Sequence, residues 1–468
     1  MPRRRLARSF VCVGIVAVQA RMVPLFAVLV GLLVALVGTG AAGAASESTG
    51  SATTVASSVA GNGKILVVAW SPRSERGRLF VLNANGKRPR WLRTGKLSIQ
   101  HARWSPDGRF VAYWAGDGVR NRRVIGLVRA NGSGRRVVAV CPQDACEFAW
   151  APTGKQLAVI ERTQADPEAV SVSLVHRVTD RRVQLASCVG EQCLTGREPV
   201  TFGAVSPGLL AWSPNGERIA YVLRQDGQMR IIVSDRTGPN QISLTVPTEV
   251  EPNSLEELVW SADGAWLGFK HFQGRLRDRL SYDTIRPDGS QHRSLLRIFA
   301  PHRDVPLVRW SPNGQQIAVA TAGLDRRDPP LALLDPASGK LKRIRRTPPP
   351  PEFRGGPTSR PLDTGLTWSP NSRRFALVDL FSLEELSRTT LATVAIDERS
   401  MEPLTELVSP KAIVPISAPV WSPDGRRILY ISKRSIYMIP TNRETPQRTA
   451  LLPRRWYAGQ LDWHARPR

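Results

Sequence analysis

Four cysteines stand in two matched pairs, Cys141-PQDA-Cys146 and Cys188-VGEQ-Cys193, and a fifth, Cys12, lies near the N-terminus. In an exported chain an even set favours disulfides, either local to each pair or crossing between the two. A four-cysteine zinc site is the weaker reading, because a gap of four residues lies at the loose end of ligand spacing. The chain has no C-x-x-C redox motif. Its six histidines, His101, His176, His271, His292, His302 and His464, are scattered and read as surface or loop residues. His271 and His302 could approach on neighbouring units, but neither has a carboxylate at ligand spacing. No G-x-S-x-G elbow, H-E-x-x-H pair or G-x-x-x-x-G-K-[ST] loop occurs. The sequence therefore assigns no catalytic residue, metal or cofactor, and an enzyme is not expected. Asp107, Asn215, Asp263, Asn313, Asn371 and Asp424 recur at matching places and invite a calcium reading. Local turn chemistry explains them better, since Asp and Asn hydrogen-bond their own backbone in turns.

Those oxygens belong to a repeat. WSPDGRFVAYW begins at Trp104, WAPTGKQLAVI at Trp150, WSPNGERIAYV at Trp212, WSADGAWLGFK at Trp260, WSPNGQQIAVA at Trp310, WSPNSRRFALV at Trp368 and WSPDGRRILYI at Trp421. An eighth Trp, Trp463, stands in the same setting. Successive spacings of 46, 62, 48, 50, 58, 53 and 42 residues suit one four-stranded sheet per unit. Ser, Pro and Gly fall at the first, second and fourth places of a type I turn. Beyond the turn, apolar residues alternate, as in Val111 and Tyr113, and so share one strand face. Between them the residue is small in six copies (Ala112, Ala158, Ala220, Gly268, Ala318, Ala376) and Leu429 in the seventh. A small side chain there lets a neighbouring sheet pack closely. LVRANGSGRRVVAV (127–140) and LALLDPASGKLKRI (331–344) read as the closing hairpins of two units. The repeated tryptophans read as core or inter-sheet packing rather than as a sugar-stacking series.

The ends predict closure. Gly63-KILVVAW and RLFVLNANGKRPRWL (78–92) look like a second strand and a closing hairpin with no Trp strand before them. GQLDWH, ending at His464, supplies that strand, and pairing the two fragments removes the open edges of a ring. The expected fold is all-β, a propeller of eight four-stranded blades, with seven as the alternative. The Trp-Ser-Pro-Asp/Asn-Gly-x-x-Ile-Ala-Tyr pattern resembles the TolB-like propeller repeat of bacterial envelope proteins over residues 61–466. That resemblance implies a scaffold, receptor or gating role without choosing among them. Two departures stand out: no separate α/β domain precedes the repeats, and no hydrolase domain of the prolyl oligopeptidase kind follows Trp463.

The N-terminus reads as a targeting segment, residues 1–44, followed by a Ser/Thr/Ala/Gly-rich tether over 45–60. Arg3, Arg4, Arg5, Arg8 and Arg21 flank or interrupt apolar stretches, and no acid appears before Glu47. Residues 22–37 form a signal-like apolar run with a small-x-small site ending at Ala44. Alternatively, residues 10–43 remain as a membrane anchor. Either way the propeller is expected outside the cytoplasm. The net charge is +26, of which the targeting segment supplies +5. Most of the remainder is Arg spread over the units, with one run, KLKRIRR, at 340–346. Spread charge reads as solvated edges rather than a patch, and nucleic-acid binding is not expected because the basic runs lack interleaved aromatics.

Two insertions break the period: Ser187 to Ser206, carrying Glu191 and Arg197, and Thr347 to Asp363, carrying Glu352, Phe353, Arg354 and Arg360. Long loops on a rigid ring are where binding resides. The expected function is a monomeric, non-enzymatic interaction scaffold of the cell envelope, secreted or anchored to the outer face of the cytoplasmic membrane. Its partner would be an envelope protein, a peptide or an anionic wall polymer. The alternatives are a lyase or glycan hydrolase with a channel active site, and an extracytoplasmic sensor module of a membrane partner.

Overall fold

Each repeat contains four short runs of alternating apolar residues punctuated by Gly, Asn, Asp and Pro, which makes strands and tight turns and leaves no stretch for a packed helix. The computed structural model describes residues 61–465 except 72–75, 117–122, 142–146, 163–168, 190–207, 226–227, 239, 246–253, 274–278, 300–306, 322–330, 346–359, 362–364, 383–385, 399, 411–418, 433–434, 443–446 and 451–456. The chain divides into two units, Met1–Ala56 and Ser57–Arg468, and all described residues belong to the second. Among them no helix is long and apolar enough to cross a membrane.

Eight antiparallel sheets follow one another. Blade 1 combines Asn62–Trp70, Gly77–Leu82 and Arg90–Leu92 with the C-terminal Tyr457–Ala465. Blades 2 to 8 start at Ser98, Phe148, Leu210, Ser254, Leu307, Arg360 and Val420. In blade 7 the first position is split into Arg360–Pro361 and Thr367–Trp368, which pair with the same second strand. The expected count of eight and the composite blade are both found. Tyr457–Ala465 pairs with Asn62–Trp70 through Ile65 opposite Trp463 and Val67 opposite Leu461.

Eight apolar clusters hold the blades together, each shared by two consecutive blades. Leu66, Val68 and Leu79 meet Trp104 and Val111 across the seam of blades 1 and 2. The series closes where Leu429 and Ile431 of blade 8 meet Ile65, Leu461 and Trp463 of blade 1. Eight seams for eight blades make a closed ring. First strands of consecutive blades lie beside one another, so they form the inner edge. The small residues of the repeat face the next blade: Ala158 lies with Trp212 and Ile219, Ala220 with Trp260 and Leu267, and Ala376 with Trp421 and Ile428.

Four of the repeated tryptophans lock their seams with the same hydrogen bond as well as with area. The Nε1 of Trp212 donates to the carbonyl of Ala149, that of Trp260 to Ala211, that of Trp368 to Arg309 and that of Trp421 to Thr367, at 2.8 to 3.1 Å. Each acceptor is the residue just before the preceding blade's Trp. Trp310 departs from this and donates to the hydroxyl of Tyr282 at 2.7 Å. That pair occupies the space beside Gly268, where a Cβ would lie 2.5 Å from the Tyr282 hydroxyl and 2.7 Å from Trp310 Nε1. Neither ring can swing away in a packed seam. Gly268→Ala is therefore expected to destabilise the ring by about 1–3 kcal/mol through overpacking, measured as a lower urea midpoint at unchanged slope.

The turn reading also holds. In six repeats the Ser hydroxyl donates to the Asp or Asn Oδ1 two residues on, and that oxygen accepts the N–H two residues further, as Arg109 N to Asp107 Oδ1 at 3.2 Å and Arg426 N to Asp424 Oδ1 at 3.0 Å. The glycine that ends each turn has φ between 64° and 72°, the left-handed region, and Ser372 adopts φ 60° where the glycine is missing. These turns and the third-to-fourth-strand hairpins share one face of the ring. The fourth strands of the blades end on the other.

Candidate functional site

A propeller without a ligand offers two places for chemistry: the inner edge and the polar groups buried within blades. At the inner edge, the residues preceding the eight tryptophans are Arg103, Ala149, Ala211, Val259, Arg309, Thr367, Val420 and Asp462, all half-buried. Most are small or apolar. The charged ones are engaged across seams.

At the seam of blades 1 and 2, Asp462 Oδ2 accepts the N–H of Trp104 at 2.8 Å and its Oδ1 lies 3.4 Å from Arg103. Gln460 completes the seam, accepting from Ala102 N at 3.1 Å and donating to Ala102 O at 3.3 Å. At the seam of blades 3 and 4, Glu147 accepts from Leu209 N at 2.7 Å and from Leu210 N at 2.9 Å. At the seam of blades 5 and 6, Glu257, 2% exposed, accepts from Arg309 at 2.8 Å, and Lys270 Nζ lies 3.1 Å from its other oxygen. Each carboxylate sits on the earlier blade and holds the start of the next. His101, on the first strand of blade 2, packs its ring 5.7 Å from Phe148. Burial, with help from Arg103, lowers its pKa to about 3, so it is neutral at ordinary pH.

Burial at the inner edge raises the Glu147 carboxyl to about 7, against the opposing pull of its two backbone N–H donors. The native state thus binds a proton that the unfolded chain, titrating near 4.5, has already released. Stability from this group is present below about pH 4.5 and falls as pH rises toward 7. In Glu147→Gln that decline between pH 4.5 and 7 is expected to flatten, read from thermal melts across the range.

A second polar group lies inside blade 5. Asp283, 2% exposed, accepts from His271 Nε2 at 3.0 Å and His292 Nε2 at 2.9 Å on one oxygen and from the Ser281 hydroxyl at 2.5 Å on the other. For both rings to donate, each carries its proton on Nε2. His271 Nδ1 is then a buried acceptor without a partner. Phe269 stacks on His292 with ring centroids 6.2 Å apart. Among the described residues, no three His, Cys, Asp or Glu side chains are arranged to hold a metal ion.

This cluster corrects the surface reading of the histidines. His271 is 1% exposed and does have a carboxylate partner, Asp283, on the adjacent strand; His302 lies outside the described residues. The misplacement has a structural cause. A β-bulge falls between Tyr282 and Asp283, and others fall between Leu255 and Glu257 and between Ile99 and His101. Bulges re-aim the residue that follows, and no residue type marks them in these strands.

Of the expected site residues, Glu191, Arg197, Glu352, Phe353 and Arg354 lie outside the described residues, as do Cys146 and Cys193. Arg360 begins the split first strand of blade 7, opposite Leu380. Cys141 is buried just beyond the last strand of blade 2. Cys188 is not in a connector as expected: the last strand of blade 3 runs through it to Val189, with Cys188 opposite Val170.

No protein-family model matches the chain, and no curated protein matches it. Solved structures do match. The chain is similar to dipeptidyl peptidase 4 of Porphyromonas gingivalis, with a TM-score of 0.56 and 11% identity over 84% of this chain and 59% of that one. It thus spans about three-fifths of that peptidase's length. It is also similar to a eukaryotic initiation factor, with a TM-score of 0.48 and 14% identity over 87% of this chain and 99% of that one. A TolB from Acinetobacter baumannii matches with a TM-score of 0.34 and 13% identity over 83% of this chain and 78% of that one. At such identities the likeness is one of fold alone.

Proposed function

We propose that the chain is an exported, monomeric, non-enzymatic interaction scaffold of the bacterial cell envelope, secreted or held at the outer face of the cytoplasmic membrane through residues 10–43. The observation that carries the non-enzymatic reading is the state of the inner edge. Glu147, Glu257 and Asp462 each hold the next blade instead of converging on a common point, and His101 is neutral. A pair of carboxylates working as acid and base needs a shared substrate position between them. Export is supported by the arginine-flanked apolar N-terminus and by the even set of cysteines beyond it, which suits disulfides.

The binding segments in this reading are the two insertions that break the repeat period, Ser187 to Ser206 and Thr347 to Asp363. The partner is an envelope protein, a peptide or an anionic wall polymer. The test compares capture from envelope extracts by the intact chain and by a variant with 188–198 replaced and 348–358 deleted, at matched thermal stability. Partners lost with the loops support the reading. Partners all retained, or turnover of peptide or pectic substrates that disappears in Glu147→Gln, overturn it.

A further inference from the structure

On the turn face a cleft of about 450 Å³ opens at the seam of blades 2 and 3. That volume lies within the range of small-ligand sites. Phe110 and Arg129 are direct cross-strand partners, so their side chains stand on the same face of blade 2. Arg109 precedes Phe110 at the end of the Trp-Ser-Pro-Asp-Gly turn, and Asn131 lies in the adjoining hairpin turn. The opposite wall is Arg177, from the hairpin turn of blade 3.

The charges in this cleft are unbalanced. Arg177 is fixed: it forms an ion pair with Asp107 of blade 2, and its guanidinium lies 4.9 Å from the centre of the Phe110 ring. Arg109 and Arg129 are exposed and have no carboxylate within ion-pair distance among the described residues. Asn131 uses its Oδ1 on Ser133, and its Nδ2 makes no hydrogen bond among the described residues. Blade 4 shows the contrast. There the position equivalent to Arg109 is Glu217, which pairs with Arg236 at 3.1 Å and cancels the charge locally. In blade 2 the acid is replaced by a third arginine, leaving three guanidinium groups against one carboxylate.

We propose that this cleft binds a phosphate monoester, with Arg109 and Arg129 on the phosphate oxygens, Asn131 Nδ2 as a further donor, and the Arg177–Phe110 pair as its floor. A phosphate monoester carries about −1.5 to −2 at neutral pH, which matches the cleft's surplus of two positive charges; a single carboxylate would leave one uncancelled. Guanidinium forks suit phosphate oxygens geometrically, and each charge-assisted bond is of the strong kind. The phosphate could be that of a small soluble metabolite or of a lipid headgroup.

The test uses the full chain in a mild non-ionic detergent, titrated calorimetrically at low ionic strength with inorganic phosphate, glycerol phosphate and a soluble short-chain phosphatidic acid. Arg109→Gln/Arg129→Gln is compared with Arg373→Gln/Arg426→Gln, which removes equal charge from equivalent, exposed turn positions of blades 7 and 8. The cleft variant is expected to bind about tenfold or more weakly, with the control close to the native chain and both melting normally. Equal affinity for glycerol phosphate and phosphatidic acid assigns a soluble ligand, whereas a marked preference for the lipid assigns a headgroup. The proposal is overturned if none of the three probes binds, or if the control variant weakens binding as much as the cleft variant does.

Discussion

Removal of residues 457–468 is expected to abolish cooperative unfolding of the whole ring, although only one strand of the eight blades is taken away. Tyr457–Ala465 is the first strand of blade 1, and it acts at two seams. On one side Ala458, Leu461 and Trp463 fill the cluster shared with Leu429, Ile431 and Met438 of blade 8. On the other, Gln460 and Asp462 bind the backbone of Ala102 and Trp104 of blade 2. Without it, Asn62–Trp70 has an unpaired edge facing the centre, and both neighbouring blades lose part of their core. A single substitution grades the effect. Trp463, 7% exposed, donates its Nε1 to Gly63 at 3.2 Å. Trp463→Ala is expected to cost about 3–5 kcal/mol, a large share of the roughly 5–15 kcal/mol that holds most domains folded. Trp91→Ala is the control, because Trp91 is 44% exposed and outside every seam cluster. Urea denaturation followed by circular dichroism measures both. If Trp463→Ala unfolds at the native midpoint, the closure argument fails.

Asp283→Ala should rank with it. The substitution leaves His271 and His292 without their acceptor and takes from the Ser281 hydroxyl its shortest hydrogen bond, at a site where Asp283 and His271 are shut off from water. Removing one partner of a buried charged group costs about 3–5 kcal/mol. Burial alone would raise the Asp283 carboxyl; the hydrogen bonds from His271, His292 and Ser281 outweigh it and hold the group well below the usual carboxylate range. The sign of the pH effect follows. The folded value is depressed, so the stabilisation is complete above the unfolded value of about 4 and is lost as pH falls through the folded one. Native stability should therefore decline with acid below about pH 4, and Asp283→Asn should remove that part of the decline. Glu147 gives a slope of the opposite sign at higher pH, so melts of the two variants from pH 3 to 8 separate the two carboxylates.

Much of the ring was legible in the sequence because its determinants are contiguous. Ser105, Pro106, Asp107 and Gly108 make their turn with bonds spanning a few residues, and the same four-residue pattern repeats the same turn. The small residue at Ala158 or Ala220 announces a close neighbour even before that neighbour is known. The missing strand before Asn62 and the surplus strand at Trp463 are each visible as a departure from the period. The candidate sites were much less legible. Glu147 stands just before the first strand of blade 3, and Glu257 and Asp283 sit inside strands that otherwise read as apolar; their partners are 62, 52 and 12 residues away or come from another blade.

The sequence by itself determined the architecture: strand period, turn type, the packing role of Trp and the closure of the ring. Each depends on short-range geometry or on side-chain alternation, which the order of residues encodes directly. Only the tertiary structure decided which charges meet. Cross-strand register and seam contacts depend on strand lengths and on bulges at Glu257, His101 and Asp283, and a one-residue slip turns a side chain to the opposite face. The same holds for the arginines of blades 2 and 3. Arg109, Arg129 and Arg177 read along the chain as scattered positive charge; two turns and a hairpin from adjacent blades bring them around one cleft.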